Sequence, residues 1–534
     1  MSLSTLDFVV LALYAVTLFA IAIWVSRDKT PGDRTTEDYF LAGRSLPWWA
    51  IGASLIAANI SAEQIIGMSG EGFRIGLAIA AYEWQAALVL IIVAKFFLPI
   101  FLKREIYTMP QFLDQRFGSG VKTTMSIYWI ALYTLVNLTT VLWLGGLAVN
   151  TLIPSVSVIA AMAMLGAFAI AYSILGGLKA VALTDIIQVV ILIIGGLIIA
   201  YLTVSMIGSG SLFGGLERMY TELPEKFDMI FEPGEFGYDT LPGIWTLLGG
   251  LWILHLNYWG FNQYIIQRAL GAKDLPEAQK GLVFAAALKL IMPLIIVVPG
   301  IAAAVLVMPE FAATSGLDGE AIAAQTDRTY PSIMSIMPGG LRGLIFAALV
   351  AAIVSSLASM VNSISTIATM DVYRSMMKPD ETESHYVGVG RVIAVAAMVI
   401  AVIAAQPFLG GFDSAFQTVQ EYTGFIAPGV VAVFLLGMFF QRTNSAGAFA
   451  ALIVSVVVSL VFKFGAPDFS FVNRIWVVFL LCMLAGLVAS LIKPAPAEAR
   501  LVRLGDVQTK TETSFNVYSL AIIAVLVALY AAFW

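Results

Sequence analysis

Residues 48–70 read WWAIGASLIAANISAEQIIGMSG, a run apolar enough to enter a bilayer that nevertheless holds Asn59, Ser61, Glu63 and Gln64 within six residues. A carboxylate or amide in hydrocarbon is costly unless it faces protein, a partner or a water-filled path. Unwound backbone in a membrane needs the same shelter. The stretch therefore reads as an interrupted helix lining a solute site; a helix with one buried packing amide is the plainer alternative. Glu83, between Tyr82 and Trp84, extends the set, as do Lys289 in AALKLIMP, Gln420 and Glu421 in FQTVQEYTG, and His255, Asn257, Tyr258 and Trp259 in HLNYWGFNQYIIQR. Carboxylates accept from hydroxyls, an ammonium donates and an amide does both, while aromatic rings cover the apolar face of a sugar. These groups suit a polyhydroxylated solute and require no covalent chemistry.

Each residue also has a structural reading. Glu83 and Lys289 fit a buried ion pair, Trp259 fits bundle packing, Gln420 fits a helix cap, and His255 fits packing against Trp252 or Trp259. Glu63, one position before Gln64, is expected to point away from the site and serve packing. Asp185, isolated at one end of its span, is expected at a cytoplasmic mouth or on an ion path.

A second constellation is AAIVSSLASMVNSISTIATMD, where Ala352, Ser355, Ser356, Ser359, Asn362, Ser363 and Thr366 recur at three and four positions and make one helical face small and polar. Close helix packing accounts for such a face. So does a small monovalent cation, which wants hard oxygen ligands and little steric bulk. Hydroxyls of Ser355 and Ser356, with carbonyls freed where 57–60 unwinds, meet that need, and broken helices that expose carbonyls to sodium at mid-membrane are a recurring transporter arrangement.

The elements that must position these groups are membrane spans. Of 534 residues, 60% are hydrophobic and 12% charged, and apolar runs near 20 residues recur from end to end, the length needed to cross a bilayer. The chain reads as one polytopic all-α membrane domain with about fourteen spans, near 6–26, 48–70, 78–101, 124–148, 155–174, 181–205, 243–266, 280–306, 338–370, 388–406, 415–437, 444–464, 475–492 and 515–533. The first looks like a retained span, since it lacks a basic leader and a small-residue cleavage site. One cysteine, Cys482, excludes an intramolecular disulfide and a multi-cysteine metal site. With two histidines and no GxGxxG, Walker loop or HExxH, neither an enzyme nor a cofactor is expected; the energy for transport must come from a gradient.

Alternate connections hold 20 of the 29 basic residues, among them Arg27, Lys29, Arg34, Arg44, Lys103, Arg104, Lys179, Arg268, Lys273, Lys280, Lys493, Arg500 and Arg503. The positive-inside rule then puts these connections in the cytoplasm and both termini outside. The clusters are short juxtamembrane loops without an aromatic-basic platform, so nucleic acid is not an expected partner.

Four stretches together are specific: TEDYFLAGRSLPWWAIGASLIAANISAEQ at 36–64, YWGFNQYIIQR at 258–268, AAIVSSLASMVNS at 351–363 and FQTVQEYTG at 416–424. On them the chain resembles the bacterial sodium/solute symporter family over nearly its whole length. The resemblance implies a five-plus-five inverted repeat over 48–437, with 6–26 outside it and peripheral helices over 438–534, in a bacterial inner membrane. It implies a sodium ion held by backbone oxygens of Ala57, Ile60 and Ala352 and hydroxyls of Ser355 and Ser356, with Asp185 near the ion's inward path. It implies a sugar held by Gln64, Glu83, Lys289, Asn59 and Gln420, with Tyr258, beside Trp259, as the inner gate and Met68, Tyr82 and Phe416 closing from outside. Two positions depart from the member it most resembles: Ala86 replaces a serine and His255 a pocket asparagine. A hexose is the expected solute; inositol, sialic acid or another organic acid is the alternative.

Overall fold

The computed structural model describes residues 3–26, 35–409, 415–492, 494, 501–502 and 510–534. Arg27, Lys29, Arg34, Lys493, Arg500 and Arg503, which entered the orientation argument, lie outside the described residues. Among those described, the regular elements are helices, with a single backbone bridge between Leu46 and Ala272.

In chain order the helices that matter here are α1 (Thr5–Ser26), α2 (Trp48–Asn59), α3 (Ser69–Ile75), α4 (Ala81–Ile92), α5 (Ser119–Leu132), α6 (Leu138–Leu152), α7 (Val158–Ile207), α8 (Gly250–His255), α9 (Gln263–Leu270), α10 (Leu275–Leu306), α11 (Leu341–Ile367), α12 (Glu383–Leu409), α13 (Ala415–Gly424), α14 (Ala427–Phe439), α15 (Ser445–Gly465), α16 (Phe471–Ala489) and α17 (Thr513–Ala532). Nine helical stretches among the described residues are long and apolar enough to cross a membrane, or ten if α13 and α14, bent by 46°, form one span. The fourteen expected stretches fall on helices, but not one to one. Residues 155–174 and 181–205 share the continuous 50-residue α7. At 1.5 Å per residue it runs about 75 Å, well beyond a hydrocarbon core of about 30 Å.

The predicted interruption of the first polar span is present. Helix α2 stops at Asn59, Ile60 leaves helical geometry with ψ at 88°, and a π-helical turn over Glu63–Met68 follows. Ser61 and Gln64 close the break. The Gln64 side-chain oxygen accepts from the Ser61 amide at 3.2 Å and from its hydroxyl at 2.8 Å, while the Glu63 amide donates to the Ser61 hydroxyl at 3.1 Å. This is the reciprocal logic of a capping box, written in the sequence as Ser-x-x-Gln. It satisfies backbone groups that hydrocarbon would leave stranded.

Gly76 turns the chain from α3 toward α4 with φ at +81°, and a Cβ there would meet the Lys226 carbonyl oxygen at 2.2 Å. The Lys226 amine in turn donates to the carbonyls of Phe73 at 3.0 Å and Arg74 at 2.5 Å, so the 207–242 loop is clamped on the end of α3. Gly76→Ala is expected to lower stability by about 1–3 kcal/mol from backbone strain, with the clash added. Thermal melting in detergent checks this, and an unchanged midpoint would mean that the loop yields freely.

Helix α11 lies at the centre and is buried from Ile345 through Ile367 apart from Val350. The outer helix α17, by contrast, exposes Val517, Tyr518, Leu520 and Val527, apolar surface that a bilayer covers. Part of the polar face of α11 is taken up by packing. Ser363 donates to the Gln267 side chain at 2.7 Å and Gln267 to Thr366 at 3.1 Å, which makes these serine and threonine hydroxyls the seam between α11 and α9.

Candidate solute and ion sites

Three discontinuities converge on one cavity. The break after α2 contributes Asn59, Glu63, Gln64 and Met68; the π turn between α8 and α9 contributes Tyr258 and Trp259, flanked by His255 and Asn262; α13, just before its bend, contributes Phe416, Gln420 and Thr423. Tyr82 and Glu83 reach it from α4 and Lys289 from α10. Interrupted helices place side chains and loose backbone at mid-span, where an unbroken apolar helix would present only hydrocarbon.

Inside the cavity Lys289 is the hub. Its amine is 2.6 Å from the Glu83 carboxylate, with both side chains almost wholly buried, and it also donates to the Asn59 side-chain oxygen. The Asn59 amide donates to the Tyr258 hydroxyl at 3.1 Å, which accepts from Tyr264 at 2.9 Å. The Lys289 amine sits 5.0 Å from the Trp259 ring centroid, within cation–π range. The ion-pair and solute-site readings of Glu83 and Lys289 therefore describe the same geometry. On the other wall Tyr82 meets Phe416 edge-on with ring centroids 5.3 Å apart. Gly67 permits that closure, because a Cβ there would fall 2.5 Å from the Phe416 Cβ.

His255 is buried in the cavity wall, with its ring 6.2 Å from that of Tyr82 and its Nε2 unpartnered. It is not on the outer surface of its span. Glu63, expected to serve packing, is among the residues that line the cavity and is itself buried. Gln64 also lines it, with its side-chain oxygen engaged by Ser61. Glu421 lies elsewhere, held by Lys463 at 2.7 Å and Arg474 at 2.9 Å.

Asp185 is not isolated at a mouth. It is fully buried, accepts from Ser54 at 2.5 Å and from Ser355, and lies 3.7 Å from the Arg268 guanidinium. Arg268, counted above among cytoplasmic loop cations, is also fully buried. It donates to the Ser54 hydroxyl at 2.8 Å and to the Tyr264 carbonyl and Ser359. Ser356 donates to the Ala58 carbonyl at 3.0 Å, which brings α11 against the last turn of α2. Sequence reasoning missed Arg268 and Ser54 as members of this buried network. The available signal was an arginine in an apolar-flanked stretch, YIIQRAL, since a cation buried without a partner is costly. No group of three or more His, Cys, Asp or Glu side chains able to hold a metal occurs among the described residues.

A polytopic helical protein whose broken helices wrap a cavity lined by charged, amide and aromatic side chains is a membrane transporter in architecture. A model of the sodium:solute symporter family matches residues 39–455, and the chain belongs to that family, whose members are sodium-coupled transporters rather than enzymes. It is 48% identical to a sodium/glucose cotransporter of Vibrio parahaemolyticus over 100% of this chain and 99% of that one. It is 33% identical to a sodium/myo-inositol cotransporter 2 of Sus scrofa over 86% of this chain and 70% of that protein. Among solved structures, a substrate-bound, outward-open sodium-coupled sialic acid symporter shares the fold with a TM-score of 0.81 at 22% identity, covering 92% of this chain and 99% of that one.

Proposed function

We propose that this protein carries a hexose, galactose- or glucose-like, into the cell together with sodium by alternating access. The observation that carries this reading is the buried chain Glu83–Lys289–Asn59–Tyr258 on the cavity wall. It sets an acceptor, a donor, an amide and an aromatic ring around one cavity, with Gln64, Gln420 and His255 beside them. The relative named a sodium/glucose cotransporter supports a sugar. The myo-inositol relative keeps a cyclic polyol as second reading, since its ring of hydroxyls asks for the same donors and acceptors.

In this reading sodium binds between the end of α2 and α11, to carbonyls of Ala57, Ile60 and Ala352 and to Ser355 and Ser356. The two hydroxyls suit that role. Each spends its proton on another acceptor, Asp185 or the Ala58 carbonyl, and keeps its lone pairs for a cation. Sodium favours the outward-facing state with the sugar site formed. Sugar then binds, Met68, Tyr82 and Phe416 close above it, and the Tyr258–Trp259 side opens inward. Sodium leaves past Asp185 and the sugar site weakens. If sodium tightens sugar binding, sugar tightens sodium binding by the same factor. We read the chain as an inverted-repeat core over 48–437, with the first helix and those after 438 outside it; that both 48–75 and 244–270 are interrupted helices lining the cavity supports this reading. Both termini lie on the outer face of an inner membrane by the charge argument.

Uptake into liposomes across a panel of sugars and inositol, with and without a sodium gradient, tests the proposal. Ser356→Ala is expected to raise the sodium concentration needed for half-maximal uptake about 10-fold or more, the loss of one ligand to a charge at about 1.5–3 kcal/mol. Protein yield should change little. An unaltered sodium titration, or potassium driving uptake equally well, would remove the ion site from α11.

A further inference from the structure

Helix α13 carries Phe416, Gln420 and Thr423 to the cavity, yet it is only 10 residues long and meets α14 at a 46° bend. Its pose is fixed from outside the cavity, by helices that follow residue 438. At the bend, Phe425 and Gly429 have the spacing of a carbonyl and amide that bond in a continuous helix, and Pro428 between them has no amide to carry the ladder on. The Ser455 hydroxyl of α15 stands in the gap, accepting from the Gly429 amide at 3.0 Å and donating to the Phe425 carbonyl at 2.9 Å. A side chain inserted in this way is a recognised cause of a kink. Ser459, one turn along α15, donates to the same carbonyl at 3.4 Å. One turn further, the Lys463 amine reaches both carboxylate oxygens of Glu421, at 2.7 and 2.8 Å. The buried Arg474 of α16 donates to one of them at 2.9 Å. Ser455, Ser459 and Lys463 recur every four residues, so they form one stripe on α15, laid along the bend and α13. Gly424 lets α16 close in, since a Cβ there would fall 2.6 Å from the Ile475 Cδ1.

We propose that Glu421 is a positioning residue for the solute: clamped by Lys463 and Arg474, it holds α13 so that Phe416 meets Tyr82 and Gln420 faces the cavity. Glu421 is not among the residues that line the cavity, so it acts through its neighbours on α13. The inference rests on the cavity being the solute site. Glu421 directly follows Gln420, about 100° further round the helix, so fixing the one sets the rotation of the other. Two cations on two different helices hold the carboxylate in two directions, which a single surface pair would not. The helices outside the proposed core thereby reach the solute without lining its cavity.

The test uses the full chain in sodium-containing detergent buffer, with galactose, glucose and myo-inositol as probes. One readout is equilibrium binding. The other is labelling of Val419→Cys by a water-soluble thiol reagent, with Cys482→Ser removing the one native thiol; Val419 lies on α13, lines the cavity and is 3% exposed. Glu421→Gln should weaken the preferred solute about 10-fold, as for a lost hydrogen bond to a charged group, and should speed labelling by about the same factor. Lys463→Met, which removes the more exposed cation, should do both about 3-fold. In each, the thermal shift caused by sodium stays as in wild type. Glu421→Gln also leaves the buried Arg474 without its carboxylate, so its melting temperature falls. The double variant Glu421→Gln/Arg474→Met removes that cation and should recover stability without recovering solute affinity. Recovery of both makes the triad scaffold alone and overturns the proposal. Wild-type binding and labelling in Glu421→Gln overturn it as well, while leaving sodium-coupled sugar transport standing. A wild type that binds none of the probes sinks the sugar reading; labelling then decides the clamp, supported by a faster rate in Glu421→Gln and overturned by an equal one.

Discussion

Lys289→Ala is expected to abolish sugar binding and to lower the melting temperature in the same protein. The amine holds Glu83 at 2.6 Å in a site from which water is nearly excluded, and it holds the Asn59 side chain that reaches Tyr258. Removing it leaves a buried carboxylate unpaired, which costs about 3–5 kcal/mol, and releases the Asn59 amide that reaches Tyr258. Sugar affinity should fall by at least about 100-fold, because a charged donor is lost and its partners are no longer aligned. Stability and binding separate in the double variant Glu83→Gln/Lys289→Met. Replacing both members of a buried pair with neutral groups of similar size is often close to neutral for stability. The double variant should therefore recover most of the melting temperature and still fail to bind sugar. If it binds sugar as wild type does, the pair is scaffold only, and the solute site must be sought among the remaining polar groups.

Arg268→Ala should be nearly as damaging, through a different part of the molecule. The guanidinium joins α9 to Ser54 of α2 and Ser359 of α11 and faces Asp185 of α7 at 3.7 Å. Without it Asp185 retains hydroxyl partners, Ser54 and Ser355, but no cation. A loss of about 3–5 kcal/mol is expected for the abandoned charge, read as a lower melting midpoint. The more discriminating variant is Arg268→Lys, which keeps the charge and loses the planar fork that reaches several acceptors at once. Because Ser355 is shared between Asp185 and the proposed sodium site, Arg268→Lys should shift the sodium dependence of uptake about 10-fold. It should cost less stability than alanine. Wild-type behaviour of Arg268→Lys in both the sodium titration and the melting curve would show that a charge alone suffices beside Asp185, and that the network does not tune the ion site.

The sequence by itself determined that this is a helical membrane protein, that its second apolar run is interrupted, and that Glu83, Lys289, Asn59 and Tyr258 belong to one polar set. Those conclusions rest on composition within single segments, because a charge or amide inside a 20-residue apolar run declares an interior partner wherever the chain leads. What spacing could not supply was direction. The expectation that Glu63 points away from Gln64's side assumed a regular helix, but the backbone leaves helical geometry at Ile60 and re-enters through a π turn. The rotation per residue that periodicity arguments depend on is broken just where this helix meets the cavity. Asp185 looked solitary because its partners, Ser54 and Ser355, stand 131 and 170 residues away in the chain. Arg268 looked like a loop cation because its charge was weighed by segment. Only the packing of α2, α7, α9 and α11 around a common buried point decided that these two charges answer one another, and that the histidine at 255 turns its ring toward the cavity instead of the lipid.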